Sequence, residues 1–175
     1  MNYSKRSLTR WFFVCTLAML LYWLGSICSG VIYRIFAIPA SRCTGFFFSA
    51  TPFFNEKGII IIPVVNSSIT VTPECSAYGF FCLMTAIFFV FYNNIKWKLP
   101  ILAKTAVILC ASYIITITAN SFRIISSYKI YALTAGFFSK PMQNVIHLFV
   151  GIIIFLTTIL IAYLMLEKME VCDAK

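Results

Sequence analysis

Four long apolar runs dominate the pattern of hydrophobic and polar positions along the chain, and more polar segments separate them. They cover approximately residues 11–33, 77–92, 104–125 and 144–166. An α-helix needs about 20 mostly apolar residues to cross the hydrocarbon core of a bilayer. The pattern therefore predicts an all-α membrane protein, with about four transmembrane helices in a single integral membrane domain over residues 1–175.

The first run follows a cluster of basic residues, Lys5, Arg6 and Arg10. A cleaved secretory signal has an apolar region of only about 7–15 residues and a small-residue cleavage site. The run at 11–33 is longer than that, and we expect it to be a retained membrane anchor.

Two segments between the runs are more polar. Residues 34–74 carry prolines, charged residues, serines and threonines, and residues 126–143 carry lysines, a glycine and a proline. We expect the first segment to be an extracytoplasmic loop before the second helix. The second segment is expected to be a loop or a partly interfacial segment.

A β-hairpin-like element is predicted inside the 34–74 loop. The stretch GIIIIPVVNSSITVT has two β-branched runs around Asn66, Ser67 and Ser68, a pattern typical of a hairpin. Pro63 has no N–H to donate, so the first of these runs is expected to form an edge strand. Strand edges cannot face lipid, so the hairpin should lie outside the hydrocarbon or pack against helices.

Composition supports an integral membrane protein. The chain is 61% hydrophobic and 17% aromatic, and only 11% of its residues are charged. Soluble domains typically have about 25% charged residues. One soluble core of this size could not bury so much apolar surface.

The net charge of +9 does not indicate nucleic-acid binding, because the basic residues form no patch with interleaved aromatics. They occur as short clusters beside the apolar runs, which is typical of cytoplasmic loops and of contacts with lipid headgroups. We therefore expect a multi-pass protein of the cell (inner or cytoplasmic) membrane. Both termini and residues 93–104 are predicted to be cytoplasmic.

The cysteine pattern predicts neither a disulfide framework nor a metal site. The seven cysteines include no CxxC motif and no metal-ligand pairing with the single histidine, His147. No cofactor is predicted. Cys15, Cys28, Cys82 and Cys110 lie in apolar runs, where a cysteine behaves as a small hydrophobic residue.

Three other residues are predicted to meet on one side of the membrane. Cys75 precedes the second span, Arg123 ends the third and His147 opens the fourth, so an alternating path places them on the same face. Each has an ordinary interpretation by itself: Arg123 as a helix anchor that reaches the headgroups, and His147 and Cys75 as packing residues. Asn120, one turn before Arg123, is expected to bond inward or to hold the arginine.

Together the three residues suit nucleophilic catalysis. A thiolate attacks carbonyls, a neighbouring imidazole accepts its proton, and a fixed cation stabilises both the thiolate and an oxyanion. A cysteine at the N-terminus of the second helix would also be favoured as a thiolate by the helix dipole.

The motifs PECSAYGFF (73–81), NSFRI (120–124) and NVIHLFVG (144–151) resemble the exosortase/archaeosortase family. The strand-like approach to the cysteine resembles that family too, and the likeness extends from residue 58 to the end of the last span. It implies a membrane transpeptidase or protease with Cys75 as nucleophile, His147 as proton carrier and Arg123 as stabilising cation. Supporting positions are Asn120, Ser76 and Glu74.

The resemblance also implies the substrates and the intermediate. The substrates would be secreted proteins that end in a short motif, a transmembrane helix and a basic tail, cleaved through a thioacyl-enzyme on the extracytoplasmic face. One position departs from the family pattern, since Ala77 stands where Cys-Ser-Gly is common.

Two other function classes are compatible with a small membrane protein. A membrane thiol oxidoreductase is disfavoured by the absence of CxxC. A non-enzymatic membrane subunit or transporter would be expected to carry more charges or Gly/Pro breaks in the middle of its spans.

Overall fold

The computed structural model describes residues 2–65, 67–92, 100–134, 137 and 140–173, and these are mostly helical. Five helices and three strands follow one another along the chain. The helices are α1 (Asn2–Ser26), α2 (Ser29–Phe47), α3 (Tyr78–Tyr92), α4 (Ile101–Thr134) and α5 (Lys140–Asp173). The strands are β1 (Phe53–Phe54), β2 (Ile60–Val64) and β3 (Ser67–Val71), and a 3₁₀ turn covers Pro73–Ser76.

Two helices, α4 and α5, are long and apolar enough to cross a membrane by themselves. The helices α1 and α2 meet the same criterion only as a bent pair, which raises the number of candidate spans to three. With 15 residues, α3 is shorter than the roughly 20 needed to span. The prediction of a helical membrane protein is therefore supported in its coarse form, while the fourth span stays a prediction.

The predicted first span, 11–33, is not one continuous helix. It breaks at Ile27 and Cys28, where the N–H of Cys28 donates to the carbonyl of Gly25 at 3.0 Å. The Ser26 hydroxyl donates to the carbonyl of Trp23 at 2.6 Å. Adjacent glycine and serine residues are a common cause of sharp helix breaks. Glycine adds no side-chain packing, and the serine hydroxyl competes for backbone hydrogen-bonding groups.

The predicted loop 34–74 begins instead as a helix, since α2 continues to Phe47 despite Pro39. The reason is burial of one face. Positions three or four residues apart along α2 are buried, as expected for an amphipathic helix, and this packing offsets the hydrogen bond that Pro39 removes. The buried residues of α2 are Tyr33, Phe36, Ala37, Ala40, Ser41, Thr44 and Gly45.

The predicted loop 126–143 is also largely helical. Helix α4 extends to Thr134 because residues 126–134 contain no glycine or proline to end it. Helix α5 begins at Lys140 with Pro141 in its first turn, where a missing N–H costs nothing. The extension of α4 past 125 is important below, because it forms one wall of a cavity.

The predicted hairpin is confirmed, and a third strand joins it. Strands β2 and β3 are antiparallel with Val64 opposite Ser67, so Ser67 and Ser68, which were expected at the turn, belong to β3. The edge-strand prediction for β2 is wrong, because β1 pairs with it and the sheet order is β1-β2-β3. The two-residue β1 reaches only the beginning of β2, so Pro63 has a strand partner on one side alone.

The described contacts divide the chain into two compact units. The first contains Met1–Ser29, Tyr78–Thr116 and Ile159–Lys175, and the second contains Gly30–Ala77 and Ile117–Thr158. In the first unit α1 packs against α3, where the Tyr78 hydroxyl donates to the carbonyl of Leu21 at 2.7 Å. The second unit holds the sheet, most of α2 and every predicted site residue.

The hydroxyl of Tyr33 joins α2 to the hairpin. It donates to the carbonyl of Val71 at 2.6 Å and accepts from the N–H of Ile60 at 3.1 Å, and both contacts are buried. Ile60 and Val71 face each other in the register, so the phenol closes the end of the hairpin farthest from its turn. The end of β3, which leads into the turn with Cys75, is thereby fixed to α2.

Tyr33→Phe is expected to destabilise the protein by about 1–3 kcal/mol, because the buried N–H of Ile60 and carbonyl of Val71 lose this partner. Thermal unfolding of the purified protein in detergent measures the change. Tyr22→Phe, at a tyrosine that is 56% exposed, is the matched control and should shift stability by less than about 0.5 kcal/mol. Equal stability of the two variants would mean that the Tyr33 hydroxyl does not hold the hairpin.

Candidate functional site

The second unit contains a cavity of about 590 Å³. Strand β3 forms one wall, the C-terminal part of α4 forms another, and the beginning of α5 completes it. Both Cys75 and His147 line this cavity. Its other described lining residues are Ser67, Ser68, Ile69, Thr70, Val71, Ile124, Ser127, Tyr128, Tyr131, Thr134, Gln143 and Ile146.

Cys75 is held in position through its backbone. Its N–H donates to the carbonyl of Thr72 at 2.9 Å, which closes the 3₁₀ turn. Its carbonyl accepts a 2.7 Å hydrogen bond from Nδ2 of Asn120, a fully buried residue of α4. The Thr72 hydroxyl lies 3.7 Å from the Cys75 Sγ. The thiol therefore projects from a backbone that is bonded on both sides.

The turn ends at Ala77, which has φ 58° and a left-handed conformation. A residue with a Cβ pays about 1–2 kcal/mol for that conformation, which glycine adopts freely. Because Ala77 separates the turn from α3, Cys75 does not lie in the first turn of that helix. The expected position of Cys75 at the N-terminus of the second predicted helix is therefore not observed: Cys75 lies in the 3₁₀ turn, three residues before α3 begins at Tyr78.

Arg123 is partly buried and is not itself among the described residues that line the cavity, although the next residue of α4, Ile124, is. Its guanidinium carbon is 5.6 Å from the ring centroid of Phe155, within the range of a cation–π contact. Its Nε is buried and has no hydrogen-bond partner among the described residues. The cation is also close enough to His147 to interact with it electrostatically. A cation with an unused donor is thus placed next to the imidazole.

Gly151 provides the space for this side chain. A Cβ at position 151 would lie 2.8 Å from Nε and 3.3 Å from Cδ of Arg123, which is too close without movement. Because Gly151 is one helical turn after His147, the same face of α5 carries the imidazole and accommodates the arginine.

The structure brings together the residues that the sequence singled out as reactive. Cys75 and His147 share the cavity, Asn120 binds the Cys75 backbone, and Arg123 lies within electrostatic reach of His147. Ser76 is half-buried in the same turn. The side chain of Glu74 lies outside the described part of the structure, although its backbone belongs to the turn.

Sequence reasoning missed the polar wall of the cavity on α4. Its residues follow Asn120 at helical spacing, so they were visible in the sequence, but the helix was expected to end at 125. Five other buried polar atoms on α4 and α2 also have no hydrogen-bond partner among the described residues, and one of them, Ser127 Oγ, belongs to a residue that lines the cavity. The wall residues are Ser127, Tyr128, Tyr131 and Thr134.

Cys75 is the one cysteine among the described lining residues of the cavity. Of the four cysteines expected to act as small hydrophobic residues, Cys82 is buried. Cys15 and Cys110 are exposed on apolar helices, and Cys28 is exposed in the break between α1 and α2. No group of three metal-ligating side chains occurs in the described residues.

No protein-family model, curated protein or solved structure matches this chain. The functional argument therefore depends on the chemistry of Cys75, His147 and Arg123. A thiol, an imidazole and a guanidinium beside one cavity provide a nucleophile, a proton carrier and an electrostatic stabiliser.

Gly151→Ala is expected to displace the Arg123 side chain. Alanine raises helix propensity by about 1 kcal/mol over glycine, but the clash with Nε should cost about 1–3 kcal/mol. The control is Gly30→Ala, at a helical glycine with nothing within 4 Å of an added Cβ. Thermal unfolding should therefore rank Gly151→Ala below Gly30→Ala. If both variants gain stability equally, Arg123 does not occupy the described position.

Proposed function

We propose that this chain is an exosortase-like membrane cysteine peptidase or transpeptidase. The observation that carries the proposal is the shared cavity of Cys75 and His147, with the partly buried Arg123 within electrostatic reach of His147. A thiol and an imidazole that open onto one cavity have simultaneous access to a bound peptide bond. A site of about 590 Å³ is large enough for a short stretch of peptide.

Acyl transfer would begin with proton transfer from the Cys75 thiol to the neutral His147 imidazole. The thiolate sulfur then attacks the scissile carbonyl carbon, and a C–S bond forms while the carbonyl oxygen becomes an oxyanion. As the intermediate collapses, the C–N bond breaks and His147 gives its proton to the leaving amine. Water or an acceptor amine next attacks the thioester, which releases an acid or an amide and restores the thiol.

Arg123 would stabilise the negative charge that forms in these steps. Its Nε is buried and without a described partner, so the donor remains available for an oxygen that appears only during reaction. A cation in surroundings poor in water stabilises charge more strongly than one in bulk solvent. The ring of Phe155 fixes one face of the guanidinium and limits its hydration.

The resemblance in sequence supplies the proposed substrate class: secreted proteins with a C-terminal motif, a transmembrane helix and a basic tail. The conformation of Ala77 supports that resemblance. The position at which the family commonly has glycine is left-handed here, and that conformation favours glycine.

The proposed topology has four membrane segments, α1, α3, α4 and α5, with both termini in the cytoplasm. The cavity then lies on the extracytoplasmic face of the cell membrane. The basic cluster before the first apolar run supports this orientation. Secreted precursors anchored by a C-terminal helix would meet the site on that face.

The oxidoreductase alternative is not favoured by the cavity. Disulfide exchange within a site needs a second thiol, and Cys75 is the single cysteine among the described lining residues. A non-enzymatic subunit or transporter is distinguished by the experiments below.

Cys75 is expected to be the fastest-alkylated cysteine and to be essential for processing. In membranes treated with iodoacetamide at neutral pH, it should react at least about tenfold faster than Cys43, because in the proposed site His147 accepts the thiol proton as the sulfur attacks. His147→Ala should remove that advantage, whereas Leu148→Ala, at an exposed neighbouring residue of α5 that does not line the cavity, should keep it. Mass spectrometry of the alkylated peptides measures the rates.

The same variants test turnover. Cys75→Ala and His147→Ala should leave uncleaved a co-expressed precursor that carries the C-terminal motif, transmembrane helix and basic tail, while Leu148→Ala should cleave it. Full processing by Cys75→Ala would contradict the enzymatic proposal.

Arg123→Lys is expected to accumulate normally and to process the precursor about 10²–10³-fold more slowly, because a point charge does not replace the planar guanidinium. Arg42→Lys, at an exposed arginine of α2, is the control and should process normally. A helix anchor needs only a long cationic side chain. Near-normal processing by Arg123→Lys would make Arg123 an anchor and not a member of the site.

A further inference from the structure

Strand β3 presents its edge to the cavity. All five of its residues, Ser67–Val71, line it. Successive side chains of a strand point to opposite faces, so five consecutive residues can line one cavity only through the backbone edge. Strand β3 is at one end of the sheet order β1-β2-β3. The edge of β3 that is turned away from β2 therefore has no neighbouring strand among the described residues.

The register shows which backbone groups point outward. Val64 and Ser67 form the pair nearest the turn of the hairpin. In a tight antiparallel hairpin this pair is hydrogen-bonded, and non-hydrogen-bonded and hydrogen-bonded pairs then alternate along the strands. The backbone groups of Ser67, Ile69 and Val71 are therefore directed to β2. Those of Ser68 and Thr70 are directed to the cavity.

Two independent features agree with this alternation. Pro63, which has no N–H, lies opposite Ser68 in a pair that needs no N–H from it. The Tyr33 hydroxyl bonds both Ile60 and Val71, which is possible because the groups of that pair point toward each other.

The edge is held at both ends. At one end the Tyr33 phenol fixes Val71, and at the other the Ser67 hydroxyl lies 2.8 Å from the Tyr128 hydroxyl of α4. Ser68 and Thr70 lie between these contacts, and both are exposed. A strand edge that is rigid and open is an efficient template for another strand.

We propose that the substrate segment before the scissile bond binds as an added strand, parallel to β3, on the N–H and C=O groups of Ser68 and Thr70. This inference rests on the proposed peptidase function. The direction follows from the chain path: Cys75 comes shortly after the C-terminal end of β3, so the peptide must run the same way to deliver its carbonyl there. The segment after the scissile bond leads into a membrane helix and cannot remain extended.

The opposite wall gives the expected side-chain preference. The hydroxyl-bearing residues Ser127, Tyr128, Tyr131 and Thr134 line the same cavity, and Ser127 Oγ is buried without a described partner. An extended peptide directs alternate side chains to each side. Substrates should therefore carry hydrogen-bonding side chains at alternate positions before the cleaved bond.

Acylated oligo-alanine chloromethyl ketones of one, three and five residues test the added strand without knowledge of the natural substrate. The Cys75 sulfur displaces chloride from each probe, so the alkylation rate reports how well the peptide is bound beside the thiol. The rate should rise with length by about fivefold for each backbone hydrogen bond formed. A five-residue probe with N-methylated amides should lose this gain.

Thr70→Pro and Thr70→Val form the matched pair of variants. Proline removes the outward N–H of residue 70 and leaves the bonds to β2, whereas valine keeps that N–H in a side chain of similar shape. Thr70→Pro should lose at least about fivefold of the length-dependent gain and keep the iodoacetamide rate of Cys75. Thr70→Val should keep both.

The outcomes separate the two proposals. If chloromethyl ketone rates are independent of length and N-methylation while iodoacetamide still selects Cys75, strand addition is wrong and the peptidase proposal stands. If iodoacetamide does not select Cys75 in the wild-type protein, the proposed function itself is contradicted. The N-methylated probe acts on the wild-type chain, so the test remains decisive even if Thr70→Pro does not fold.

Discussion

The hydrogen bond from the Asn120 side chain to the Cys75 carbonyl is the contact on which the site depends. It joins a short 3₁₀ turn to a long helix. Asn120 is fully buried, so solvent water is not an alternative hydrogen-bond partner for its amide. The net contribution of such a bond to folding is only about 1 kcal/mol, but leaving the buried amide unpaired would cost more. Since Arg123 follows Asn120 by one helical turn, the bond holds the turn that carries Cys75 against the same stretch of α4 that carries the arginine.

The remainder of the second unit supports this contact from two sides. The Tyr33 phenol fixes the strand that enters the turn, and Gly151 makes room for the arginine that follows Asn120. The left-handed Ala77 redirects the chain immediately after the turn, at a cost that glycine would avoid. Backbone geometry and not side-chain bulk therefore positions Cys75.

The sequence predicted the helical membrane class, the hairpin and the proximity of Cys75 to His147, which line one cavity. These follow from long apolar runs, β-branched alternation and the order of polar residues between runs. It did not predict the break at Ile27 and Cys28 or the helix around Pro39. Local signals at these positions conflict with tertiary packing, and packing decides: α2 remains helical because one of its faces is buried.

The polar wall on α4 was missed for a related reason. Arg123 and Lys129 suggested that the helix ends near the membrane surface, although residues 126–134 contain no glycine or proline that would stop a helix. Hydroxyl-bearing residues continue at helical spacing through Tyr131 and Thr134. A charge can mark where a helix leaves the hydrocarbon without marking where the helix ends.

The length of α4 determines how far the cavity would lie from the centre of the membrane in the proposed orientation. Its 34 residues extend about 51 Å, which exceeds the hydrocarbon core by about 20 Å. The part from Lys104 to Arg123 covers about 28 Å, close to the thickness of that core. The cavity-lining residues of α4 begin just beyond it, at Ile124. In the proposed function and orientation, the protein would select precursors by the distance of the scissile bond from the membrane. The number of residues between that bond and the precursor's transmembrane helix would then be part of the recognition signal, alongside the identity of the motif.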